Sequence, residues 1–313
     1  MSSGISPTVG LSGASSDQYL GLFNETSNGG NFNKLSLIST KMYYGYTAST
    51  RSVSSFIGGT RRLKRFLKNG RFNMDLIAEI STIGRLRHPN LVRLLGYCKQ
   101  KENLYLVYDY MPNGSLDKYL NRNENQERLT WEQRFKIIKD VASALLHLHQ
   151  EWAQVIIHRD IKPANVLIDH DMNARLGDFR LAKLYDQGFD PQTSRVAGTL
   201  GYIAPEFIRT GRATTSTDVY AFGLVMLEIV CGRRLIDRRA EENEEVLVDW
   251  ILELWEHGNI FDAAEESTRQ EQNRGEIELV LKLGVLCAHQ SESIRPDMSV
   301  GYADLEWCCA ASR

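Results

Sequence analysis

A charged loop, His158-Arg159-Asp160-Ile161-Lys162-Pro163-Ala164-Asn165, stands between two segments that can only be buried. Before it, Trp131, Phe135, Ile138, Ala142, Leu145 and Leu148 repeat at steps of three and four, one face of a long helix, and Thr130 with Gln133 reads as a capping box at its start. After it, Val166-Leu167-Ile168 reads as a short strand, and Val219 to Cys231 is apolar almost throughout, which predicts a helix buried on all faces with Gly232 as its stop. Such a chain must hold a polar loop against a helical core.

Length and composition narrow the class. The 313 residues, at about 150 per domain, suggest about two domains or lobes. Hydrophobic residues make up 42% and charged residues 24%, a globular balance rather than a disordered one. Thirty-seven Lys plus Arg against 39 Asp plus Glu leaves a net charge of −2, with no basic excess to hold a nucleic acid backbone. Five cysteines (Cys98, Cys231, Cys287, Cys308, Cys309) are odd in number and never spaced CxxC, which predicts reduced thiols. The N-terminus lacks the pattern of a signal peptide, and no run nears the roughly 18 apolar residues that cross a bilayer, so the expected location is cytoplasmic. The first 60 residues hold 13 Ser, 9 Gly and five charged side chains, read as β-strand fragments between polar turns.

The loop fits H-R-D-x-x-x-x-N, in which the Asp takes a hydroxyl proton and the Asn five residues on holds a metal ion. Leu176-Gly177-Asp178-Phe179 supplies the first two letters of D-F-G, Ala204-Pro205-Glu206 matches A-P-E, and Asp218 opens the buried helix. Over residues 62 to 302 the sequence resembles the protein kinase family. The resemblance implies an α+β, two-lobed fold and ATP-dependent phosphoryl transfer to protein Ser/Thr. It makes Asp160 the base, Lys162 the cation on the transferring phosphoryl group, and Asn165 and Asp178 the Mg²⁺ ligands. Thr199, in Gly198-Thr199-Leu200-Gly201-Tyr202, resembles the threonine that supports Asp160 and Lys162. Arg159 resembles the family's hook for a phosphorylated activation segment, with Thr193 and Ser194 as acceptor candidates. Arg295 resembles the arginine that pairs with the Ala-Pro-Glu glutamate, here Glu206, and His158 reads as a packed structural histidine. At the adenine side, Tyr108 is the gatekeeper, and Asp109 and Met111 offer hinge backbone groups.

Two departures stand out. Neither G-x-G-x-x-G-x-V nor V-A-I-K is present; Gly58-Gly59 reads as a turn. Lys64 lies 15 residues before Glu79, itself placed where the family's helix αC glutamate falls, so Lys64 is either a vestige of the lysine strand or a plain exposed lysine. Arg180 replaces the third letter of D-F-G, where glycine gives the backbone its freedom.

Leu94-Leu95-Gly96-Tyr97-Cys98 and Leu106 to Leu116 look like plant receptor-like kinases, and Ser16 to Asn24 and Met42 to Thr50 look like two pieces of a legume-type lectin domain. The chain therefore resembles an L-type lectin receptor kinase with a shortened N-lobe and a lectin remnant. The expected division is 1–60 lectin-like remnant, 61–112 truncated N-lobe, 113–305 C-lobe and 306–313 unmatched tail. The expected partner is a protein substrate or signalling protein, with no intact sugar site. The alternative reading is a pseudokinase or interaction scaffold with weak or no ATP binding; a carbohydrate-binding module is a minor third.

Overall fold

The structure, a computed structural model, describes residues 18–22, 43–45, 52–57, 61–66, 80, 83–100, 103–120, 128–186, 196–236 and 245–311. The chain divides into two compact units, one of residues 1–72 and 94–108 and the other of 73–93 and 109–313.

The first unit is built on one six-stranded sheet of β1 (Gln18–Leu22), β2 (Tyr43–Gly45), β3 (Ser52–Ile57), β4 (Arg61–Phe66), β5 (Leu94–Gln100) and β6 (Asn103–Asp109), in the order β1-β5-β6-β4-β3-β2. Strands from the first 60 residues and strands after them thus share one ladder: Leu20 of β1 faces Cys98 of β5. β3 and β4 pair antiparallel from Ile57↔Arg61 to Ser52↔Phe66, while Gly58 and Gly59 lie outside the described residues.

The second unit is mainly helical. α1 (Asp117–Leu120) is one turn, and α2 (Trp131–Leu146) begins at Thr130, whose side chain accepts from the Gln133 backbone while the Gln133 side chain accepts from the Thr130 N–H. The capping box is as expected. Trp131, Phe135, Ile138, Ala142 and Leu145 of α2 are buried, and the helix runs on as one wider turn through Glu151. β7 (Val155–Ile157) leads into the polar loop, whose last residues Pro163–Asn165 form a short 3-10 turn. β8 (Val166–Ile168) and β9 (Ala174–Leu176) form a hairpin, and β10 (Lys183–Tyr185) pairs with β7.

Beyond these come α3 (Pro205–Thr210), α4 (Thr215–Cys231), α5 (Leu247–Glu256), α6 (Arg274–Cys287) and α7 (Met298–Ala311). Every residue of α4 from Thr217 to Cys231 except Tyr220 is buried, and Gly232 ends it in the left-handed region at φ 63°. The helix starts four residues before the apolar run, because its first turn is polar. No helix among the described residues is long and apolar enough to cross a membrane.

Candidate active site

The loop between β7 and β8 is fixed from below by one carboxylate. Asp218, 1% exposed in the first turn of α4, accepts the backbone N–H of His158 at 2.7 Å and of Arg159 at 2.8 Å, and its Oδ2 lies 3.0 Å from His149 Nε2. A carboxylate that takes two backbone N–H groups replaces the ladder bonds a tight loop cannot make. Arg159 adopts φ 67°, which turns the chain sharply into Asp160, and its Nε donates to the Leu181 carbonyl. His158 is fully buried against the edge of Phe179, with ring centroids 4.7 Å apart. Burial, opposed by Asp218 and its neighbouring carboxylates, pushes its pKa below the ordinary 6.5. The neutral ring donates from Nε2 to the Gly177 carbonyl and accepts the Asp160 N–H at Nδ1.

Asp160 is the meeting point. Its Oδ2 accepts from Lys162 Nζ at 2.8 Å and Asn165 Nδ2 at 2.9 Å, and its Oδ1 accepts from the Thr199 hydroxyl at 2.7 Å. Lys162 Nζ also reaches Thr199 Oγ1 at 2.6 Å, and Asn165 Nδ2 the Asp160 carbonyl at 2.7 Å. Burial works to raise the Asp160 carboxyl, but the hydrogen bond and charge of Lys162, with the hydrogen bond of Thr199, outweigh it and hold the group below the usual carboxylate range. A carboxylate has about four acceptor sites. These three side chains use three, and the one left is on Oδ1.

Two further sets hold this centre. Glu206 of α3 receives Arg295 through two parallel bonds of 2.6 and 2.8 Å, and the guanidinium also reaches the carbonyls of Ser216, His289 and Gln290. Tyr202 donates to Glu228 at 2.6 Å, while the Leu235 N–H holds the other Glu228 oxygen at 2.8 Å. Beside Lys162 and Thr199 runs a groove of about 330 Å³ lined by Leu200, Leu235 and Ile236 and by Asp117.

Asp178 departs from expectation. Its two oxygens accept Arg180 Nε at 2.6 Å and Nη2 at 2.7 Å. Asp109 ends β6 with its N–H on the Arg93 carbonyl, and the Met111 carbonyl closes a turn to Gly114. Lys64 lies in β4 opposite Ser54, but its side chain is outside the described residues, as are Glu79, Thr193 and Ser194.

The structure thus brings together His158, Asp160, Lys162, Asn165, Thr199 and Asp218, and separately Glu206 with Arg295. Sequence reasoning missed His149, Gly177, Tyr202 and Glu228. His149 left one sign, a polar residue interrupting an apolar helical face; Gly177 acts through its backbone and left none.

Residues 61–296 match the protein kinase domain family. The chain belongs to the protein kinase family. It is 84% identical over 239 residues to the L-type lectin-domain containing receptor kinase V.5 of Arabidopsis thaliana, covering 76% of this chain and 36% of that one. Receptor kinase V.7 of the same plant is 83% identical over 241 residues, covering 76% and 37%, and V.4 is 73% identical over 225 residues, covering 72% and 34%. The chain spans about a third of the length of these curated relatives. Membership implies ATP, a divalent metal and a protein substrate in general terms. For this kinase domain the metal meets a local obstacle. Asn165 fits, with its amide nitrogen on Asp160 and its oxygen left as a hard donor. Asp178 as arranged does not fit a divalent ion, because both its oxygens already face a cation.

Proposed function

We propose that this kinase domain transfers the γ-phosphoryl group of ATP to serine or threonine hydroxyls of a protein, in the manner of a receptor-like kinase. The observation that carries this is the carboxylate of Asp160, locked by Lys162, Asn165 and Thr199 with one acceptor site left on Oδ1. An incoming hydroxyl donates to that site, and its oxygen attacks the γ-phosphorus. The proton passes to Asp160 as the bond to the ADP oxygen breaks. Lys162, anchored on both Asp160 and Thr199, sits beside the reacting oxygen and offsets charge that develops on the phosphoryl group. Asp218 and His158 position the loop. The groove lined by Leu200, Leu235 and Ile236 takes the substrate chain next to the accepting residue, and its walls favour an apolar side chain there.

On this reading phosphotransfer belongs to residues 61–305, and Asp109 and Met111 meet adenine through their backbones. Mg²⁺ is the metal, since amide and carboxylate oxygens suit a hard ion. Two buried free thiols, Cys231 and Cys287, suit a reducing cytoplasmic setting.

The test is phosphorylation of a generic protein substrate by the whole chain and by Asp160→Asn. The exchange keeps size and removes the base, so activity should fall by roughly 10² to 10⁴. Activity that survives it would assign the transfer to another group. The Arg180 contact supports a second reading, a signalling scaffold, in which the parent chain transfers no phosphate under the same conditions.

A further inference from the structure

Asp178 sits at φ 66°, a left-handed conformation, at the head of the single 3-10 turn Phe179–Leu181. Phe179 is fully buried against His158, so the turn is held from inside, and the side chain two residues after Asp178 folds back over it. At that position the family pattern has a glycine, with no side chain to return. Here Arg180 lays its fork along the carboxylate with Nε on Oδ1 at 2.6 Å and Nη2 on Oδ2 at 2.7 Å. Parallel two-bond pairing is the strongest arrangement a guanidinium and a carboxylate can adopt, and lysine cannot reproduce it. The two side chains are only 28% and 17% exposed, so water screens the pair less than it screens an ordinary surface bridge.

We propose that Arg180 is a built-in competitor of the divalent metal at Asp178, so that metal loads only when the guanidinium is released. This rests on the reading of Asp178 as a metal ligand. A divalent ion needs a carboxylate oxygen at about 2.1 Å. Both oxygens already spend their charge on a fixed cation, and an ion added to their outer lone pairs would stand a few ångströms from that cation. The two positive groups therefore exclude one another. The consequence is a site whose metal affinity is set by an arginine and not only by its ligands: anything that draws Arg180 away, such as an anionic segment or a phosphate group, opens it. Asn165 is untouched by the contact, so half of the ligand pair stays ready.

The experiment uses the whole chain and Mn²⁺ alone as probe, with free ion counted by electron paramagnetic resonance. Parent, Arg180→Ala, Arg180→Lys and the double variant Arg180→Ala with Asp178→Asn are compared, each with its thermal melt. Arg180→Ala should bind Mn²⁺ at least tenfold more tightly than the parent. Arg180→Lys should fall between them, since it keeps the charge and loses the fork. Should Arg180→Ala fail to fold, a gain of at least threefold in Arg180→Lys supports the proposal and an unchanged affinity overturns it. Equal affinity in parent and folded Arg180→Ala overturns the competitor. In that event, loss of binding in the double variant leaves Asp178 a metal ligand, while unchanged binding removes that reading too.

Discussion

Arg295 carries a full charge at a position where its side chain has no exposed surface, and the two bonds to Glu206 make that tolerable. Removing one partner of such a pair strands the other charge in a dry place, which costs about 3 to 5 kcal/mol. Arg295→Met should therefore lower the unfolding free energy by that amount in a urea titration, and Glu206→Gln added to it should return part of the loss, because the stranded carboxylate is gone. A loss below about 1 kcal/mol for the single change would mean that neither the ion pair nor the guanidinium's bonds to the carbonyls of Ser216, His289 and Gln290 hold the loop before α7. This contact was legible in the sequence as a likeness to a known pattern. Arg134 was not: it is 1% exposed on the buried face of α2 and bonds the carbonyls of Leu129 and Ile229 and the carboxylate of Glu265. Its charge argues for water, and only the fold brings together the acceptors that satisfy it.

At the scale of elements, α4 and α6 cross at two glycines. A Cβ on Gly223 would stand 2.7 Å from the Ala288 backbone nitrogen, the Gly284 oxygen and Cys287 Cβ, and one on Gly284 would stand 2.6 Å from Leu227 Cδ2. The helices approach closely enough to leave no room for a methyl group. Gly223→Ala should thus destabilise the fold by about 1 to 3 kcal/mol despite alanine's better helix propensity, since the clash is with backbone that cannot move aside. Gly301→Ala, in α7 with nothing within 4 Å, is the control and should be neutral or mildly stabilising by denaturant titration. Equal effects at the two sites would contradict the close crossing. Periodicity exposed α2, and apolar content exposed α4 as a buried helix, but neither could show where they touch. The start of α4 at Thr215 was hidden for a related reason: Thr217 looks like a solvent-facing residue and is buried because it bonds the Thr214 carbonyl, whereas Asp218, which holds the polar loop, was legible as the opening of the helix.

For the molecule as a whole, the ordered motifs made the helical unit and the Asp160 cluster readable, since each side chain that meets there belongs to a short motif. What escaped was interaction across long separations, as between Tyr202 and Glu228. Glu228 is 3% exposed in α4, and burial pushes its carboxyl up to about 7 from the ordinary 4.5, against the opposing pull of Tyr202, the Leu235 N–H and Arg234. A carboxyl with a raised folded-state pKa binds its proton more tightly in the native protein than in the unfolded chain. Its contribution to stability is therefore complete below about pH 4.5 and is lost as the pH climbs through about 7. The loss amounts to about 3 kcal/mol at most. His158 works in the opposite sense below 6.5, because its buried ring resists a proton that the unfolded chain accepts. A bare pH profile would mix the two, so the measurement is the difference between parent and Glu228→Gln in urea midpoint at pH 5 and pH 8. Glutamine cannot ionise; its one oxygen keeps the Leu235 N–H, and its amide nitrogen donates to the Tyr202 hydroxyl, which turns to accept. The variant should gain on the parent by about 1 to 3 kcal/mol between the two pH values; a constant difference would mean that Glu228 is ionised throughout, with Tyr202 and the Leu235 N–H sufficient to hold its charge.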